Sequence, residues 1–436
     1  MSLLAQPGPN GAEFVYEEPP EYAQVVTRAH PIQTEHAYQL SKRSKYRLSL
    51  ALTSRARDAR EQPHFVQRDE IMGSVELTLN HEEVIRSVTI SVIGDLFLRT
   101  EATRFLSIVQ QLHASDAREV SPSSILSPVI RSGKLKGQHT WSFRIQLPKG
   151  VVFSEERNRY QLPPSLCDTG TRARVQYSIV VRMKRGIWSS GQRLAIPFEY
   201  TPLTRPSLPS IMRQISYMEQ RPLIGPDEDS DGWKSLPAVN IYGKAFSVQL
   251  VEVTVTLLSI LKYTGGLTRR SYQLSYTRGS IIPLSLSMSA SDQQVLDLLS
   301  APSTPQVHLV RKATVIPHMG VPTARALLPW DSNVETVGTA IWWRTPHPGS
   351  VERSRRRHLQ GEIRVPKDLP PNCSILNFSI EYQITFETLK AVAFSITSKI
   401  PPTIEPVEIT TTTPQAPLPV GLLVTPTILG DRSEIV

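Results

Sequence analysis

The sequence predicts an all-β protein, built as two consecutive antiparallel β-sandwiches with an N-terminal arm and a C-terminal tail. The first observation is a repeat of long period. Leu162-Pro163-Pro164-Ser165 leads into Val175-Gln176-Tyr177-Ser178-Ile179, and Leu369-Pro370-Pro371-Asn372 leads into Ile380-Glu381-Tyr382-Gln383-Ile384. Two further pairs keep the same order. Gly73-Ser74-Val75-Glu76-Leu77-Thr78-Leu79 matches Gly279-Ser280-Ile281-Ile282-Pro283-Leu284-Ser285-Leu286, and Phe143 to Pro148 matches Glu362 to Pro366. A period this long implies two copies of a domain, because solenoid repeats run about 20–50 residues. The second observation is period-two patterning, the mark of half-buried strands. The third is 36 prolines, which punctuate the chain and break long helices.

Taken along the chain, residues 1–39 are rich in Pro and Glu and form an extended, flexible arm. Residues 40–202 form the first sandwich, with strands expected at Ser74 to Leu79, Arg86 to Ile93 and Val175 to Met183. Residues 203–237 carry Pro206, Pro209, Pro222, Pro226 and Pro237, which suits an extended linker. Residues 238–400 form the second sandwich, with strands at Phe246 to Val255, Val307 to Val315 and Phe378 to Phe386. Ala102 to Ala117 and Ser291 to Leu299 are the best helix candidates, each a short excursion from a sheet. Residues 401–436, with Thr410 to Thr413 and repeated prolines, form a flexible tail.

Composition narrows the function classes. A chain of 436 residues, 40% of them hydrophobic, fits two or three cores. No run of about 18 uncharged apolar residues marks a transmembrane helix, and the N-terminus shows no secretory leader. The only cysteines, Cys167 and Cys373, each follow a Leu-Pro-Pro element; two make neither a disulfide framework nor a four-thiolate metal site. A cytoplasmic protein with reduced thiols is expected. Asp227 to Gly232 imitates the start of an EF-hand loop, but the twelfth position is Ala238 where Glu is needed, and Pro226 and Pro237 preclude the flanking helices. No nucleophile elbow, phosphate-cradling glycine loop or zinc-protease motif occurs. A non-enzymatic protein without cofactor or metal is expected.

The ordered elements at Gly73 to Leu79, Ser87 to Leu96, Trp141 to Pro148 and Tyr160 to Arg185, with their second-half matches at Tyr276 to Met288 and Gly361 to Phe386, resemble the arrestin fold. The resemblance is to its fungal arrestin-like (α-arrestin) branch and covers roughly residues 40–400. Ser259 to Leu274 reads as extra sequence before a matching strand.

Pro19-Pro20-Glu21-Tyr22 is a PPxY motif in the arm. The prolines pre-set a polyproline II helix and lower the ordering entropy lost on docking, while Tyr22 supplies a rigid anchor; WW domains read this chemistry. With this composition such a motif arises by chance roughly 0.1 times. The resemblance implies what it does: fungal arrestin-like proteins use PPxY motifs to recruit HECT-type ubiquitin ligases that carry WW domains. Their motifs often stand in several copies in the C-terminal tail, whereas here one stands in the N-terminal arm, so avidity is not expected. The resemblance thus implies an adaptor docking the cytoplasmic tails of plasma-membrane transporters or receptors for ubiquitination and endocytic sorting, recruited to the plasma membrane and endosomes. The alternative is an arrestin-fold trafficking or signalling scaffold without ligase recruitment.

Net charge is +9, and the basic residues cluster. Arg172, Arg174, Lys184 and Arg185 lie on or beside one expected strand, and Arg353-Ser354-Arg355-Arg356-Arg357-His358 is the densest run. Residues i and i+2 of a strand share a face, so Arg172 and Arg174 are expected to present adjacent guanidinium groups. Arginine forks suit phosphate and carboxylate, on an acidic cargo tail or an anionic membrane surface. A solvated basic loop or a nuclear-import signal is the other account of 353–358. Specific nucleic-acid binding is not expected, because no recognition helix or aromatic platform accompanies the charge.

Overall fold

The computed structural model describes residues 33–42, 45–115, 134–153, 159–185, 191–206, 208–219, 221, 225–226, 228–229, 232–246, 249–260, 262–263, 272–316, 331–344, 355–397 and 401–412. Among the described residues, eleven strands come from the first half: β1 (Thr34–Lys42), β2 (Tyr46–Ser54), β3 (His64–Val66), β4 (Glu70–Leu98), β5 (Glu101–Ala114), β6 (Lys134–Gln146), β7 (Gly150–Val152), β8 (Arg159–Gln161), β9 (Leu166–Asp168), β10 (Ala173–Arg185) and β11 (Gln192–Thr201). β4 organises them. Its first part pairs with β2 and β6, its second part with β5 and β10, and its register with β6 shifts between Leu79 and Glu83, just before β5 and β10 take over. One strand of 29 residues therefore serves both sides of a curled sheet. β10 continues to β9 and β11, and β11 pairs in parallel with β3. Alternation drives burial throughout, as in β2, where Tyr46, Leu48, Leu50 and Leu52 point inward.

A helix, α1 (Ile211–Met218), leads into the second half. Its strands are β12 (Trp233–Ser235), β13 (Val239–Ala245), β14 (Gln249–Ile260), β15 (Lys262–Tyr263), β16 (Tyr272–Thr277) and β17 (Ile281–Ala290). The helix α2 (Gln293–Leu299) follows, then β18 (Pro305–Val315), β19 (Asp331–Thr339), β20 (Ile341–Arg344), β21 (Arg356–Arg364), β22 (Cys373–Ile375), β23 (Phe378–Leu389), β24 (Phe394–Ile396) and β25 (Thr403–Thr410).

The pairing repeats. The path β1-β2-β4-β6 reappears as β13-β14-β17-β21, and β5-β4-β10-β11-β3 reappears as β19-β18-β23-β25-β16, including the parallel pair at its end. β9 on β10 becomes β22 on β23. The unbroken β4 is replaced by β17 and β18, with α2 between them. All three matched sequence pairs fall on corresponding elements, so the mostly-β character and the repeat are both structural. Among the described residues β15 pairs with β16 alone, lies within the expected extra stretch 259–274 and has no counterpart in the first copy. Buried apolar residues of both copies join in one core cluster.

Four expectations need correction. Ala102 to Ala117 is not a helix: β5 occupies 101–114 and pairs with β4 along its length. The other helix candidate, Ser291 to Leu299, by contrast is a helix over Gln293–Leu299, capped by Asp292 accepting from the Val295 backbone at 3.0 Å. The linker 203–237 is not wholly extended: Ser210 caps α1 and β12 joins β14. The tail is structured at its start, because β25 fills the place that β11 holds in the first copy, on β23 and β16. Its Glu405 also pairs with Lys234 of β12. The arm likewise yields its last residues to β1, which pairs with β2 from Thr34 onward. Pairing against an existing strand edge outweighs the local polar, Pro-rich composition in these places.

Candidate functional site

The repeated Leu-Pro-Pro elements have one structural job. Tyr177 Oη donates to the Pro163 carbonyl at 2.7 Å, and Tyr382 Oη donates to the Pro370 carbonyl at 2.7 Å. Each tyrosine is buried, and burial raises each phenol's pKa. The residue after each Pro-Pro then clips the neighbouring strand. Ser165 N donates to the Tyr200 carbonyl and Ser165 Oγ accepts from Tyr200 N, both at 2.9 Å. Asn372 does the same with Ile409, its Oδ1 accepting from Ile409 N at 2.7 Å.

These two elements face each other across a cleft of about 440 Å³ between the copies. One wall runs from Pro164 to Thr169, the other from Asp368 to Pro371, and Arg278, Arg311 and Glu335 complete it. A buried ion pair crosses the cleft. Arg311 Nη2 of β18 lies 2.7 Å from Asp168 Oδ1 at the end of β9. The other Asp168 oxygen accepts from the Thr171 backbone at 2.8 Å and from the Thr171 hydroxyl. Desolvation pushes the Asp168 pKa up, but the Thr171 and Arg311 hydrogen bonds outweigh it and hold the carboxyl below its ordinary range. Arg311 Nη1 also approaches Glu335 at 3.6 Å. Two outer contacts flank this pair: Arg99 to Asp331 at 2.8 Å, and Thr204 against Thr411 and Thr412. Cys167 is exposed in the cleft wall, whereas burial pushes the Cys373 thiol up to about 12.

The structure scatters the arginines singled out from sequence. Arg172 precedes β10 with a left-handed φ of 55°, so it does not share an extended face with Arg174. Arg174 stacks on Phe97, its Cζ 4.4 Å from the ring centroid. Lys184 and Arg185 sit at the far end of β10, roughly 33 Å from Arg174 at about 3.3 Å per strand residue. Arg185 is held by Glu83 at 3.2 Å and lies over Tyr46. Of the second-half run, Arg355 and Arg356 are exposed, and Arg357 pairs with Asp297 at 2.8 Å. Arg172, Lys184, Arg355 and Arg356 are therefore exposed cations at three separate places, not one patch. Pro19, Pro20 and Tyr22 lie outside the described residues, as do Arg353 and Ser354.

Sequence reasoning passed over Asp168, Arg311 and Glu335. A signal was present for Arg311, which interrupts the apolar run Val307 to Val315 on its buried face. Asp168, six residues after Leu162, had no such mark. Among the described residues no helix is long and apolar enough to cross a membrane. No protein-family model matches this chain, and no curated protein matches it.

Proposed function

We propose that this chain is a non-enzymatic, arrestin-like adaptor whose N-terminal arm recruits a WW-domain HECT-type ubiquitin ligase. The rest of the chain would hold the cytoplasmic tail of a plasma-membrane transporter or receptor. The observation that carries the reading is Pro19-Pro20-Glu21-Tyr22, a preorganised WW ligand placed ahead of the first strand. The duplicated strand order supports it, since the resemblance calls for two β-sandwiches in tandem. The adaptor acts by proximity, raising the effective concentration of ligase around its cargo. The exposed cations Arg172, Lys184, Arg355 and Arg356 supply contacts for an acidic tail or an anionic membrane surface, with no cofactor or nucleic acid involved.

The test is fluorescence-polarisation binding of a labelled Tyr16–His30 peptide to isolated WW domains. Micromolar binding that weakens at least about tenfold on Tyr22→Ala, or about 1.4 kcal/mol, is the expected result. Failure of every WW domain to bind would remove the ligase role and leave the alternative, an arrestin-fold trafficking or signalling scaffold. The single motif, with its lack of avidity, is the observation that keeps that alternative in play.

A further inference from the structure

The helix α1 is built inside out. Its buried side chains are Arg213 and Ser216, while Ile211, Met212, Ile215 and Met218 face solvent with exposures of 75%, 54%, 39% and 62%. Leu208, three residues ahead of the helix, is exposed as well. The orientation is locked from beneath. Arg213 is fully buried, lies 3.3 Å from Asp229, donates to the Gly232 carbonyl at 3.1 Å, and packs over Trp233. Ser210, the capping residue, donates to the same Asp229 carboxylate at 2.7 Å. A Cβ on Gly232 would fall 2.0 Å from that carboxylate, so a side chain there would displace Asp229 from its partners. Exposing four adjacent apolar residues on a pinned helix implies that something covers them.

We propose that the occupant is this chain's own C-terminal apolar segment, Leu418 to Leu429, which carries Leu418, Val420, Leu422, Leu423, Val424, Ile428 and Leu429. The described chain ends against the start of the linker that bears α1. Thr204 N donates to Thr411 Oγ1 at 2.9 Å, Thr411 Oγ1 donates to the Pro202 carbonyl at 2.7 Å, and Thr412 Oγ1 donates to the Thr204 carbonyl at 2.7 Å. From Thr412 the six residues to Leu418 span at most about 20 Å, and an eight-residue helix is about 12 Å long, so the segment reaches α1 easily. Tethering makes the contact intramolecular, so a small face suffices.

Other occupants fit less well. An interfacial helix draws on several cations beside its apolar face, but Arg213 is buried and the exposed Arg221 pairs with Glu219 at 2.9 Å, which leaves the exposed Arg205 ahead of Leu208. A second copy needs roughly 800 Å² per partner, beyond a two-turn helix face.

The inference is independent of ligase recruitment. Hydrogen–deuterium exchange on the full chain, compared with a chain ending at residue 416 and with Leu422→Asp/Leu423→Asp, tests it. Amides of 211–219 should exchange about tenfold faster in both altered chains than in the full chain. A benzoylphenylalanine photocrosslinker in place of the exposed Ile215 should capture 418–429 of the same chain. Equal exchange in all three proteins overturns the proposal. So does crosslinking only to a second copy, or protection of α1 that appears only when anionic vesicles are added.

Discussion

Tyr177 and Tyr382 do the same thing in the two copies: each buried phenol ties the strand it sits on to the carbonyl of the first proline in a Leu-Pro-Pro element. Removing either hydroxyl leaves a proline carbonyl without its donor, at a cost of about 1–3 kcal/mol. Tyr177→Phe and Tyr382→Phe should therefore each lower the urea midpoint by similar amounts. A neutral result for either would show that its bond adds nothing to stability. The motif that drew attention in the sequence is thus a stability device repeated, and its spacing was legible because both halves of each bond are close in the chain. The partners across the cleft, Asp168 and Arg311, lie 143 residues apart and carried no shared local mark.

At the scale of elements, β5 shows how a strand can disguise itself. Phe105, Ile108, Val109 and Leu112 stand at i, i+3, i+4 and i+7, a helical spacing. The strand keeps its pairing because two bulges re-phase it: Phe105 is the unpaired extra residue opposite Gly94 and Asp95, and Leu112 the one opposite Val88 and Thr89. A Cβ on Gly94 would meet the Phe105 ring at 2.7 Å, so that bulge needs a glycine beneath it. The helix α1 was hidden the opposite way, by prolines that suggested an extended linker although Ser210 stood ready as its cap. β25 carries the clearest consequence. Deleting residues 401–436 strips β23 and β16 of their shared neighbour and removes buried Val407 and Ile409, each contributing about 1.5–3 kcal/mol. That chain should lose its cooperative thermal transition, followed by circular dichroism, whereas deletion of 414–436 should leave it. Equal behaviour of the two chains would refute a structural role for β25.

At the scale of the whole molecule, the copies meet through charge. Breaking the Arg311–Asp168 pair leaves an uncompensated buried group, so Arg311→Ala should destabilise by about 3–5 kcal/mol. The pH dependence follows from the lowered Asp168 pKa. Its stabilisation is fully present above the ordinary carboxylate value and is lost as pH falls through the lower folded value. The stability difference between wild type and Asp168→Asn should stay level from neutrality to about pH 5 and shrink below about pH 4. A difference that does not change with pH would show that the ionised carboxylate contributes nothing.

Strand content, the duplication and the PPxY arm are written in period-two alternation, in recurring Leu-Pro-Pro elements and in four consecutive residues, all features that local chemistry spells out. Strand edges are another matter. That residues 34–39 join β1 and 403–410 become β25, that 101–114 pairs as β5 instead of coiling, and that Arg172 and Arg174 part company all depend on which backbone groups are left unpaired once the sheets form. Those unpaired groups, like the ion pair that joins the copies, exist only when residues far apart in the chain are brought together, because a buried N–H, carbonyl or charge must find its partner wherever the fold puts one.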